Sequence, residues 1–142
     1  MQEKELIYRL RKTFYSIDSE IAKISKNLGC NFHLLCFLQA LDTDVLKSQK
    51  QICQEWLITK TTLNTLVKQC EKLGYITFKL IDGAKREKYI ILTKEGRAFK
   101  EKILNKIYPI EKRALLSMKE SEKFVEDMEM FYINLKRAWE EI

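Results

Sequence analysis

The chain has 142 residues and a formal net charge of +6, and 46% of its residues are apolar, enough to bury one continuous core. Its first residues, Met1-Gln2-Glu3-Lys4-Glu5, carry both signs of charge and lead into no unbroken apolar stretch, so no signal peptide or membrane span is expected and a cytoplasmic location is. The four cysteines, Cys30, Cys36, Cys53 and Cys70, form no CxxC pair and are expected to be reduced thiols packed as small core residues.

Four glycines and one proline leave long uninterrupted stretches, and these carry helical rather than strand periodicity. Leu10, Phe14, Ile17, Ile21, Ile24 and Leu28 recur at alternating spacings of four and three, a heptad-like seam on a first helix that Gly29 ends. Asn31 is placed to cap a second, short helix burying Leu34, Leu35, Leu38 and Leu41. Ser48 followed by Gln51 is a capping box, which predicts a third helix burying Ile52 and Trp56. Thr59 caps a fourth, from Lys60 to Leu73, with Leu63, Leu66, Val67, Cys70 and Leu73 inward and Gly74 at its end.

Beyond Gly74 the chemistry changes. Tyr75–Leu80 and Tyr89–Leu92 are rich in aromatic and β-branched residues, and the charged turn between them makes a hairpin with a basic tip. Thr93 is placed to cap a fifth helix carrying Phe99, Ile103, Leu104 and Ile107, which Pro109 is expected to bend or interrupt. Ser117 to Glu120 reads as another capping box, and the last helix carries Phe124, Met128, Phe131, Leu135, Ala138 and Ile142, with Trp139 alongside.

Helix, tight turn, helix and basic hairpin over residues 48–92 follow the order of a winged helix-turn-helix, and the positive charge sits in the same place. Residues 1–42 hold six Lys/Arg against five Asp/Glu, residues 43–98 eleven against six, and residues 99–142 nine against nine. A net +5 therefore falls on the middle segment, where a polyanion would be met. In such a motif the second helix enters the major groove by its N-terminal residues while the first braces it. With the apolar face inward, Lys60, Thr61, Thr62, Asn64, Thr65 and Lys68 point outward, all able to donate and none acidic; Ser48 and Gln49 stand at the start of the bracing helix. Asn64 has the amide geometry to pair with an adenine edge, the threonines bond bases or phosphates, and the lysines hold phosphates. Lys85, Arg86 and Lys88 form the basic wing, with Arg86 the residue to enter a narrow minor groove.

This arrangement resembles the multiple-antibiotic-resistance regulator (MarR) family over nearly the whole chain. The likeness is carried by residues 48–76, SQKQICQEWLITKTTLNTLVKQCEKLGYI, and by Lys85-Arg86 standing seven residues before Leu92-Thr93-Lys94-Glu95-Gly96, the family's usual exit into a long helix. Thr65 and Ala84 depart from the pattern, since relatives often have arginine and a wing aspartate there; Asp82 is the candidate to replace that carboxylate. The resemblance implies a single domain over 1–142, mainly α with a small β-hairpin wing. Residues 1–29 and 93–142 would be dimerisation helices and residues 30–92 the DNA-binding lobe. It also implies a homodimer on a pseudo-palindromic double-stranded operator, and repression relieved by a ligand or oxidant. The seams at the chain ends fit this: Leu10, Phe14, Ile17, Ile21, Phe131, Leu135, Trp139 and Ile142 are the expected subunit interface. A small-molecule effector is expected near Phe14, Ile17, His33, Phe37 and Tyr108.

Two rival readings are a winged helix that binds protein rather than DNA, and a repressor whose sensor is the Cys30 thiol. The second needs a thiolate, and Lys26 is the only cation within a turn of Cys30. His33 is the only histidine and forms no Cys/His pair with zinc-ligand spacing, so neither metal nor cofactor is expected. With no Ser/His/Asp arrangement, glycine-rich phosphate loop or isolated carboxylate pair, neither is catalysis.

Overall fold

The computed structural model describes residues 1–83 and 87–142; Ala84, Lys85 and Arg86, the tip of the expected wing, lie outside the described residues. The elements are α1 (Glu3–Asn27), α2 (Phe32–Leu41), β1 (Lys47–Ser48), α3 (Gln49–Trp56), α4 (Lys60–Lys72), β2 (Ile76–Leu80), β3 (Lys88–Leu92), α5 (Lys94–Leu116) and α6 (Ser121–Glu140). Residues 1–105 and 106–142 are two compact units, with α5 beginning in the first and ending in the second. The fold is mainly helical with a three-stranded antiparallel sheet in the order β1-β3-β2.

In the first unit the centre is α2, whose sequence FHLLCFLQAL is apolar nearly all round. Asn31 caps it by accepting from the His33 amide at 2.9 Å, and Leu34, Leu35, Phe37, Leu38, Ala40 and Leu41 are all buried. Four of these, Leu34, Phe37, Leu38 and Leu41, join Ile52 of α3, Leu63, Leu66, Val67 and Cys70 of α4, and Ile76 and Ile90 of the sheet in one core. A side chain of Leu or Ile size fully buried there is worth roughly 1.5–3 kcal/mol relative to exposure. Burial also pushes the Cys70 thiol pKa up to about 12, as expected of a cysteine packed as an apolar residue.

The capping predictions at α3 and α4 agree with the structure. Ser48 Oγ accepts from the Gln51 amide at 3.2 Å while Gln51 Oε1 accepts from the Ser48 amide at 2.7 Å, a complete box. Thr59 Oγ1 accepts from the Thr62 amide at 3.2 Å. Between the two helices Leu57 takes a left-handed conformation at φ 53°, which makes the turn tight and costs about 1–2 kcal/mol for a residue with a Cβ. Gly29 and Gly74, at φ 66° and 78°, end α1 and α4 without that cost.

Several expectations are corrected. Trp56 is not buried with Ile52: it is the last residue of α3, 40% exposed, because the left-handed Leu57 ends the helix before its side chain reaches the core. Leu73 is exposed as the residue closing α4, one position past the last buried turn. Pro109 does not interrupt α5, which runs on to Leu116, although the proline has no N–H to give the Asn105 carbonyl. Ser117 is not a cap. Its hydroxyl donates to the Arg113 carbonyl at 2.6 Å, and α6 begins after Glu120 with no side-chain cap. The two-residue strand β1, too short for any periodicity, pairs Lys47 with Ile90 and Ser48 with Tyr89.

A charge cluster joins α5 to the end of α2. Lys100 is only 7% exposed and bonds the Asp42 carboxylate, which also accepts from Arg97 Nε at 3.3 Å. The Lys100 hydrogen bond, aided by the nearby charges of Lys100 and Arg97 and opposed by partial desolvation, holds the Asp42 carboxyl below the usual carboxylate range. A lowered folded-state pKa stabilises above the unfolded value of about 4 and loses its contribution as pH falls through the folded value. Asp42→Ala, which strands a buried ammonium, is predicted to cost about 1–3 kcal/mol in chemical denaturation at neutral pH and to flatten the acid limb of stability. Lys100→Met, which removes the buried charge, is predicted to cost less than Asp42→Ala.

Candidate nucleic-acid interface

The outward face of α4 follows from its inward one. Leu63, Leu66, Val67 and Cys70 are buried, and the helical period then turns Lys60, Thr61, Thr62, Asn64, Thr65 and Lys68 to solvent, where all six are exposed. No carboxylate occurs between Lys60 and Cys70. Among the described residues neither Lys60 nor Lys68 has an acidic partner, in contrast to Lys47, which pairs with Glu55 at 2.9 Å. Two threonines are partly engaged within the helix: Thr62 Oγ1 accepts from Thr59 Oγ1 at 2.9 Å, and Thr65 Oγ1 donates to the Thr61 carbonyl at 3.2 Å. Thr59, Thr62 and Thr65 thus fix the first turns rather than all standing free as donors.

Beside this face is a cleft of about 650 Å³ between α3, α4 and the hairpin, lined by Ser48, Gln49, Lys50, Lys60, Asn64 and Lys88 among others. Ser48 and Gln49 are half-buried at its base. Gln49 Nε2 donates to Asn64 Oδ1, joining the start of α3 to the second turn of α4. Lys88 is diagonal to Phe78 across the β2–β3 ladder and lays its ammonium 5.4 Å from that ring centroid, so it faces the cleft rather than the far side of the sheet. Glu71 and Glu87 also line the cleft, so its charge is mixed where the face of α4 is not.

The sites expected at Lys85 and Arg86 lie outside the described residues, as does Ala84. Asp82, the candidate replacement for a wing carboxylate, is exposed. Lys50 was not singled out in the sequence, although its position two residues into α3 beside Ser48 and Gln49 could have marked it.

With this geometry in place, the known proteins can be set beside it. Residues 31–87 match the MarR family model, and this segment spans α2, β1, the helix pair and β2 and stops before β3. That segment is similar to the MarR family. The whole chain has the fold of solved regulators of that kind. The transcriptional regulator BldR from Sulfolobus solfataricus is 15% identical with a TM-score of 0.80, the match covering 94% of this chain and 99% of that one. A MarR from Staphylococcus aureus in complex with salicylate and kanamycin is 16% identical with a TM-score of 0.75, covering 94% of each chain. A MepR–DNA complex from Staphylococcus aureus is 18% identical with a TM-score of 0.74, covering 92% and 97%. No curated protein matches the chain in sequence.

The residues expected near an effector stand on several elements. Phe37 is in the core, Tyr108 is exposed in the second unit, Phe14 and Ile17 are on α1, and His33 lines a groove. That groove, about 960 Å³, is lined by Asp18, Ile21 and Lys26 of α1, His33 and Cys36 of α2, and the turn from Trp56 to Thr59. Of the expected subunit-interface residues, Leu10, Phe14, Ile21 and Phe131 are half-buried, and Ile17, Leu135, Trp139 and Ile142 are exposed.

Cys30 also lines the groove, but its surroundings disfavour a thiolate. Partial burial raises its pKa, and Sγ lies 3.3 Å from the Asn31 carbonyl, to which it donates as a thiol. Cys30 is therefore predicted to resist alkylation at pH 7 on the timescale of an unfolded-peptide cysteine, read by mass spectrometry; labelling at least as fast as the peptide would contradict this.

Proposed function

We propose that the protein is a transcriptional regulator that binds double-stranded DNA as a homodimer, and that it acts as a repressor released by a small molecule. The observation that carries this reading is the face of α4: six exposed side chains over less than three turns, every one a hydrogen-bond donor and none acidic. Phosphates position such a face and base edges select for it. Lys60, Lys68 and Lys88 are the described phosphate contacts in this reading; Lys85 and Arg86, the latter proposed to enter the minor groove, lie outside the described residues. Thr61, Thr62, Asn64 and Thr65 reach the bases, with Ser48 and Gln49 bracing from α3. The likeness of residues 31–87 to the MarR family and the MepR–DNA complex of the same fold support the reading.

Dimerisation is proposed because α6 buries none of its residues in a single chain while carrying Phe131, Leu135 and Trp139, and because α1 exposes Leu6, Ile7, Tyr8 and Ile17. An isologous pairing of these helices would hide both faces and present two copies of α4 about one helical turn of DNA apart. In this reading residues 1–29 and 93–142 serve the dimer and residues 30–92 the duplex. Release is assigned to the groove that contains His33, because it touches Thr59, the cap of α4, so that a ligand seated there acts on the recognition helix. The salicylate complex of the Staphylococcus aureus MarR supports an effector of small aromatic type. A protein-binding winged helix remains the second reading, favoured by Glu71 and Glu87 in the cleft.

Salt separates the two. Affinity for a duplex taken from upstream of the protein's own gene should fall with salt with a log-log slope of about 0.9 per neutralised phosphate, and Lys60→Ala should reduce that slope by roughly 1. Light scattering should give two chains per duplex site. Salt-independent association, or a monomer at micromolar concentration, would contradict the proposal.

A further inference from the structure

What Asn64 can read in a groove depends on which of its atoms are free. A carboxamide has one carbonyl acceptor and two N–H donors, and bidentate pairing with adenine needs both sides, the carbonyl accepting from N6 and an N–H donating to N7. In this structure one of the two lone pairs of that carbonyl is taken, since Gln49 Nε2 donates to Asn64 Oδ1, and the oxygen is held toward α3, which leaves the two N–H donors as the larger free capacity. Asn64 is exposed on the face where a duplex would lie, and among the described residues its two N–H groups have no protein acceptor. The base edge that matches two donors is guanine, whose N7 and O6 both accept.

We infer that Gln49 is a positioning residue that sets the base preference of Asn64, directing it to guanine rather than adenine. The inference rests on the DNA-binding reading above. It is strengthened by how firmly both amides are mounted. Gln49 is the first residue of α3, whose start is locked by the Ser48–Gln51 box and whose rotation is fixed by Ile52, buried completely one turn on. Asn64 is flanked on α4 by buried Leu63 and Val67, which fix the rotation of that helix. Neither amide can be re-aimed by a small shift of its backbone, so the pairing is set before DNA arrives. Lys50 and Lys60 line the same cleft and would hold phosphates to either side.

The test is selection from a randomised duplex library with the full chain and with Gln49→Ala, Gln49→Glu and Asn64→Ala. The unsubstituted chain should select guanine at one symmetric position of each half-site. Gln49→Ala frees the Asn64 carbonyl and should move that position toward adenine, a change of about three- to tenfold in relative affinity, the worth of one net hydrogen bond. Gln49→Glu, whose carboxylate accepts from Asn64 Nδ2 and turns Oδ1 outward, should favour bases that present a donor, adenine or cytosine. Asn64→Ala should erase the preference there while leaving the other positions. Adenine selected by the unsubstituted chain at the Asn64 position, or guanine kept by Gln49→Ala, overturns the inference with DNA binding intact. Failure of the wider reading looks different, since no duplex would then be retained by any of the four proteins.

Discussion

Thr93 sits where the end of α4, the β2–β3 hairpin and α5 meet. Its amide donates to the Tyr75 carbonyl at 3.0 Å, its hydroxyl donates to the Gly74 carbonyl at 2.6 Å, and the same oxygen accepts from the Gly96 amide at 3.0 Å. One side chain thereby caps α5 and pins it to the residues that follow α4. Gly96 completes the joint: a Cβ there would overlap the Tyr75 carbonyl oxygen and crowd Leu92, so only glycine lets the first turn of α5 come this close. Tyr75 then stacks on Phe99 with ring centroids 4.6 Å apart. The segment Leu92 to Gly96 is thus a structural joint, and the position of the hairpin beside α4 depends on it.

From that joint the chemistry of the surface follows by exclusion. The core fixes which side of α4 is inward, and the helical period leaves one polar face with no acid between Lys60 and Cys70. A buried α3 contact at Ile52 and a completed capping box hold the bracing helix in one rotation, which is why its first residue can hold Asn64. Rigid elements under a polar face suit recognition of a rigid partner, because little backbone freedom remains to be lost on binding.

Local signals were legible in the sequence and long-range pairings were not. The caps at Asn31, Ser48, Thr59 and Thr93 could be read because a cap is a contact within three residues, and the inward residues of α2 and α4 because burial obeys a period. Trp56 and Leu73 were misread because both stand at helix ends, set by the left-handed Leu57 and Gly74, and periodicity does not mark where a helix ends. Ser117 has the spacing of a capping box, but its hydroxyl closes the helix before it. The Asp42 cluster with Arg97 and Lys100, and the pairing of Gln49 with Asn64, span 15 to 58 residues and leave no pattern in a single sequence. The effector residues were chosen as aromatics at helical spacing, and Phe37 shows the weakness of that signal, since it is a core residue.

The central claim is that the face of α4 and the cleft beside it meet a duplex. Lysine acetylation footprinting by mass spectrometry, with and without a duplex from upstream of the protein's own gene, tests it residue by residue. The account predicts that DNA protects Lys60, Lys68 and Lys88 while Lys112, Lys123 and Lys136 react as before. Equal protection of all six, or protection confined to the last three, would contradict it.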